Sequence, residues 1–436
     1  MKKAVLMAIA LMTLILTIIF TNGCRIADTS SKAADNKKMQ LSYINWVSAE
    51  MATRNKIDAI IDEFVKKNPN VSIENIPIPF DECPRQLVIM SESGSLPDII
   101  QMTGYWTALL ASQDTLIDLT GYAEEGNYIL DSYSKSFVDA AKYNGTLYAI
   151  PAALTPSGFW YNKQLMEQAG IKNPPRTIDE LNNQLKIIKK KFDGKVYGIG
   201  IDTTTIDYAF TENLPYFWAF GAKDLLEDPS DPNFEQPAVL DALKWFGSVA
   251  ENGYSPVNKE TKMERELMAN NKMVYKLDGT YFKGILQDIN SNLSDENFDK
   301  IFGVTTMPTK DGVLQCTNAE IHSLGIAETC QYKDIAWEFV KFMAASDYSV
   351  ESYIIPMGML PPQRSSITNN YNKLSSAQIN TFLGEIAPYA KVMPFSPKLG
   401  VAGKEIINGL QQIFKEEKPE EVQTSVAEAL KHIYNR

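Results

Sequence analysis

From Met39 the chain switches between two hydrophobic periods, and the order of the switches leaves few folds open. The stretch MQLSYINW, Met39 to Trp46, has the composition of a strand. Thr53 to Lys67 then carries Ile57, Ile60, Ile61, Phe64 and Val65, the spacing of one buried helix face. Asn68-Pro69-Asn70 stops that helix, and Val71 to Ile78 reads as a second strand ended by Pro79. A helical stretch over Pro84 to Ser93 leads to a third strand, Leu96 to Met102. Strands that alternate with helices pair in parallel through right-handed crossovers. The expected class is α/β.

Similar elements recur after Gly145. Strands are expected in GTLYAIP up to Pro151, at Gly158 to Lys163 and at Lys195 to Asp202. A helix with Leu165, Met166 and Ala169 ends at Gly170, and Thr177 with Glu180 forms the capping box of the next. Further helices are expected over 238–250, 263–270 and 332–345, and a last one opening at Pro419. No internal repeat is evident, which excludes a solenoid.

Ligands of open α/β sheets lie beyond the carboxyl ends of the strands. Trp46 ends the first strand, Asp81 follows the second, and Tyr105 and Trp106 follow the third. Aromatic rings and a carboxylate are therefore expected at one sheet edge, with rings that fill the core as the other reading of the same residues.

The N-terminus follows other rules. Lys2 and Lys3 precede an almost wholly apolar run, Ala4 to Phe20, and Thr21-Asn22-Gly23 ends it. This reads as a secretory signal peptide over residues 1–23; an N-terminal membrane helix is the other reading of the same run. Gly23-Cys24 resembles the core of the bacterial lipobox, although Thr21 stands where leucine is usual. Cys24 is the expected lipidation site, and a diacylated cysteine would anchor the chain to the membrane. Residues 24–38 read as a solvated tether. The rest of the 436-residue chain is then extracytoplasmic.

Formal net charge is −11, and loss of Lys2 and Lys3 takes it to −13. That balance argues against nucleic acid, which needs a basic face. Besides Cys24 there are Cys83, Cys316 and Cys330, and only two histidines, His322 and His432. A zinc site is not expected. A Cys316–Cys330 bridge is open to an extracytoplasmic protein, with buried thiols as the alternative.

Several stretches carry a resemblance over nearly the whole length from Met39. They are EFVKKNPNVSIEN, SGSLPDIIQM, YAIP followed by WYNKQLMEQAGIKNPPRTIDEL, VYKLDGTYFKGIL, FGVTTMPT, SLGIAETCQYKDIAWEFVKFMAA and MGMLPPQRS. In their order and spacing they resemble the extracellular solute-binding proteins of bacterial ABC importers, family 1, in the sugar-binding branch. Tyr281 stands where that family has tryptophan. The resemblance implies a type II periplasmic-binding-protein fold, two α/β lobes joined by hinge segments. Lobe one would be 39–150 plus 322–355, and lobe two 151–321 plus 356–436. The crossings would fall near 150–154, 321–323 and 356–361. It further implies ligand contacts from Trp46, Asp81 and Tyr105 in lobe one, and from Tyr216, Trp218, Asp278 and Tyr281 in lobe two. The expected ligand is a carbohydrate, an oligosaccharide by the spread of aromatics, handed to the permease subunits by a monomeric binding protein without a cofactor.

Trp160, Trp245 and Trp337 read as core, and His322 as a structural histidine. The rivals are a lipid-anchored glycoside hydrolase, which needs two paired carboxylates, and a binding protein for a peptide, metal or anion. No nucleophile elbow, P-loop or dinucleotide fingerprint is present, so no enzyme is expected.

Overall fold

The computed structural model describes residues 38–125, 133, 135–204, 207–228, 231–314, 316–374, 376–392 and 396–435. The expected leader, Cys24 and all but the last residue of the tether lie outside the described residues. Residues Met39–Arg436 form one compact unit.

Ten strands position the site: β1 (Met39–Asn45), β2 (Val71–Pro77), β3 (Ile99–Thr103), β4 (Ile150–Pro156), β5 (Gly158–Asn162), β6 (Tyr197–Gly200), β7 (Met273–Asp278), β8 (Phe302–Thr305), β9 (Thr317–Ile326) and β10 (Ala390–Lys391). In the first sheet β1 pairs in parallel with both β2 and β3, as the periodicity predicts. The helix Met51–Lys67 supplies the first crossover and buries Ile57, Ile60, Ile61 and Phe64. Each such side chain stabilises the fold by about 1.5–3 kcal/mol. Phe339, on the helix Lys333–Ala345, meets both Phe64 and Tyr43 edge-on and closes this layer.

The second sheet runs in the order β8-β5-β7-β6. Here β5 is antiparallel to both neighbours, and only β6 and β7 are parallel. Strand periodicity marks the strands but not their direction. The Thr177–Glu180 capping box opens the helix Ile178–Phe192. Trp160 packs among Phe282, Phe298 and Phe382 in the core of this sheet. Two sheets, each flanked by helices, make the chain a two-lobed α/β protein.

The lobes are linked through β9 and β4. Residues His322–Ile326 of β9 pair with β3, while Ala319–Leu324 pair antiparallel with β4. β4 leads through Ser157 into β5 of the second sheet. Leu154 of β4 exchanges both backbone hydrogen bonds with Leu360, at 2.8 and 2.9 Å, so a third segment lies beside the first two. Gly358, just before it, has φ +71°, and a Cβ there would sit 2.7 Å from the Thr280 carbonyl oxygen. Only glycine fits that turn.

Cys83, Cys316 and Cys330 are free thiols, so the Cys316–Cys330 bridge is not formed. Among the described residues, no helix is long and apolar enough to cross a membrane.

Candidate functional site

The end of β1 is fixed by a side chain. Asn45 is 1% exposed; its Oδ1 accepts from the Ser48 N–H at 2.8 Å and its Nδ2 donates to Asn75 Oδ1 at 2.7 Å. This holds the chain reversal that starts at Trp46. The Trp46 ring meets Phe80, Trp106 and His322 edge-on, at 5.4, 5.4 and 4.9 Å between centroids. Edge-to-face packing of this kind fixes ring orientation. His322 is on β9, opposite Thr103 in register. Burial pushes its imidazole down to about 4, so it is neutral, and its Nδ1 has no partner among the described groups.

The second lobe presents a charged pair. Asp278 ends β7, and its buried carboxylate takes Arg265 in a two-pronged bond: Nε to Oδ2 at 2.8 Å and Nη2 to Oδ1 at 2.8 Å. Oδ1 also accepts the Gly279 N–H at 2.8 Å. Trp160 Nε1 reaches the Asp278 and Gly279 carbonyls at 3.3 and 3.2 Å, so a core ring anchors the backbone under the pair. Arg265 also lies over the half-buried Tyr281 ring, 5.4 Å from its centroid. Bidentate arginine–carboxylate geometry is directional as well as strong.

Glu320 joins the two sides. It lies two residues before His322 on β9, so strand alternation puts both on one face. Its Oε1 accepts from Thr103 Oγ1 at 2.9 Å. Burial pushes its carboxyl up to about 7; Thr103 and Arg265 oppose this and the Asp278 charge adds to it. Trp46, His322, Thr103, Glu320, Arg265, Asp278 and Tyr281 thus form one continuous polar and aromatic surface across both lobes, of which Glu320, Arg265 and Tyr281 are the half-buried members and the other four are buried.

Behind Asp278 lies a buried charge cluster. Lys276, 1% exposed, contacts Glu264 Oε2 at 2.7 Å and Glu212 Oε2 at 3.4 Å. Burial alone would lower the Lys276 ammonium, but Glu212, Glu264 and Asp278 outweigh it and hold it raised. Burial raises both Glu212 and Glu264, against the pull of Lys276. This cluster supports the strand that carries Asp278.

The other expected site residues are placed differently from one another. Tyr105 is buried and reaches across to the helix Leu399–Ile413, where a Cβ on Gly400 would lie 2.8 Å from its ring. Asp81 is exposed in the turn after β2, next to Phe80, which packs on Trp46. Tyr216 is 1% exposed and stacks on Trp245 at 5.2 Å, inside the helical layer of the second lobe. Trp218 is 4% exposed under the Lys391 ammonium, 5.7 Å from its ring. Trp46, Asp278 and Tyr281 belong to the continuous surface; Tyr216 lies outside it. Arg265, Thr103 and Glu320 were not singled out as ligand contacts. For Glu320 and His322 a signal was present, two titratable residues at period two inside the apolar run NAEIHSLGI. Among the described residues, no group of three His, Cys, Asp or Glu could hold a metal.

Comparisons with known proteins agree with this architecture. A solved ABC transporter solute-binding protein from Thermotoga lettingae, bound with α-D-tagatose, superposes with a TM-score of 0.81 at 21% identity, over 91% of this chain and 100% of that one. Maltose-bound MalE3 of T. maritima gives a TM-score of 0.79 at 20% identity, over 90% and 99%. The maltotriose-binding protein of Pyrococcus abyssi is 22% identical over 389 residues, 87% of this chain and 78% of that one. The model of the family described as bacterial extracellular solute-binding protein matches residues 49–349. With that match spanning most of its length, the chain belongs to the bacterial extracellular solute-binding protein family.

Proposed function

We propose that this protein captures a sugar between its two lobes and delivers it unaltered to the permease of an ABC importer. The lobes would be 39–150 plus 322–355 and 151–321 plus 356–436. The observation that carries the reading is the surface joined through Glu320, with Trp46 and His322 on one side and Arg265, Asp278 and Tyr281 on the other. Sugars present apolar CH faces to rings and hydroxyls to paired acceptors and donors. Elements of both lobes contribute, so a ligand touching all of them favours the closed arrangement by its differential affinity. Several similar proteins are named for oligosaccharides, among them the maltotriose-binding protein and the diacetylchitobiose-binding protein DasA of Streptomyces coelicolor. An oligosaccharide is therefore the ligand class we favour. The protein would work extracytoplasmically as a monomer, tethered by lipid on Cys24. A thermal-shift panel of mono- and oligosaccharides tests the reading, because a ligand of the folded state raises the melting temperature by mass action. At least one sugar should do so; no shift across the panel would refute it.

A further inference from the structure

The charges around Glu320 do not balance. Arg265, the cation acting on it, is committed to Asp278 through two 2.8 Å bonds. Lys276 is matched by Glu264 and Glu212. His322, on the same face of β9, is neutral. Among the described residues Thr103 Oγ1 supplies the one hydrogen bond to the Glu320 side chain, on Oε1. A carboxylate has about four acceptor sites, so most of them are open to a ligand. Glu320 is only half-buried by its neighbours, so this capacity faces accessible space within the surface described above.

A neutral hydroxyl can fill an acceptor site but leaves the negative charge uncompensated near the Asp278 carboxylate. An ammonium group fills the acceptor sites and cancels the charge together, and bonds between charged partners are the stronger class. We propose that Glu320 is a specificity-determining residue that accepts a protonated amino group on the bound sugar, so that the ligand is an aminated mono- or oligosaccharide. This rests on the sugar-binding reading above and narrows it. Thr103 holds the carboxylate in place, and the Arg265–Asp278 pair keeps the neighbouring cation from neutralising it.

The test is titration calorimetry of the full chain near pH 7 with three matched sugar series: glucosamine and its oligomers, their N-acetylated counterparts, and the parent glucose oligomers. Melting curves confirm that the variants Glu320→Gln and Glu320→Asp are folded. The wild-type protein should bind an amine-bearing sugar at least about tenfold more tightly than its N-acetyl and hydroxyl counterparts. Glu320→Gln, which keeps an acceptor for Thr103 but no charge, should bring that ratio close to one, and Glu320→Asp should retain part of it. Equal binding of amine and neutral sugars by the wild type would overturn the proposal and leave the sugar reading standing. An amine preference that survives in Glu320→Gln would overturn it as well. Absence of binding by every series, with no response in a wider sugar panel, would remove both readings together.

Discussion

Glu320→Gln should stabilise the protein at alkaline pH and leave its stability unchanged in acid. In the folded state burial raises this carboxyl from 4.5 to about 7. The proton is therefore bound more tightly in the folded chain than in the unfolded one. Any stability Glu320 contributes is fully present below pH 4.5 and is lost as the pH rises through about 7. At about 1.4 kcal/mol per pH unit, the interval is worth about 3 kcal/mol at pH 8. Glutamine has nearly the same shape, still accepts from Thr103, and never has to ionise. The difference between variant and wild type should be near zero at pH 4 and reach about 3 kcal/mol in favour of the variant at pH 8, on the order of 5 °C in melting temperature. Melting curves of both proteins, without ligand, from pH 4 to pH 8 measure it. An equal gain at both ends of the range would mean that the carboxyl is not held in a poorly solvated place. A loss at pH 8 would mean that Glu320 is paired in the folded protein and that its charge is balanced.

Arg265→Met should cost about 3–5 kcal/mol in urea unfolding, because Asp278 stays buried with, among the described residues, only the Gly279 N–H bonded to its side chain; a cost below about 1 kcal/mol would show that the pair is not structural. Gly358→Ala forces a Cβ to 2.7 Å from the Thr280 oxygen at a φ of +71°, and should cost about 1–3 kcal/mol. It should also weaken ligand binding through the neighbouring Tyr281, so an unchanged melting temperature and unchanged affinity would contradict the close approach. Cys24→Ala should move the protein from the membrane fraction to the medium, and continued sedimentation with membranes would contradict lipid anchoring.

Different parts of the molecule were legible in the sequence to different degrees, for physical reasons. The first sheet was readable because the helix Met51–Lys67 buries one face and Asn68-Pro69-Asn70 and Pro79 bound the strands beside it, so the pattern in 39–102 reports local structure directly. The capping box at Thr177 and Glu180 was readable because both partners are three residues apart. The helix Asp207–Ala219 was not, since Pro215 interrupts its pattern and it is apolar on more than one face. The helix Leu399–Ile413 went unmarked as well. The strand-end rule reached Trp46 and Tyr105 but could not show Phe80 or His322 beside Trp46, contacts made by separate strands. Arg265 and Asp278 are 13 residues apart, on a helix and the next strand, and nothing local links them. Tyr216 was placed by resemblance, and its stacking on Trp245 depends on how two helices pack. Pairings between distant segments decide this site, and a single sequence records residue types rather than pairings.

The most direct measurement of the central claim is titration calorimetry with a sugar identified by the thermal-shift panel, followed by mass analysis of the sugar recovered from the complex. The account predicts saturable one-to-one binding, with the sugar recovered at its original mass. Cleaved sugar would contradict it and identify a hydrolase, with the Asp278 and Glu320 carboxylates as the first pair to examine.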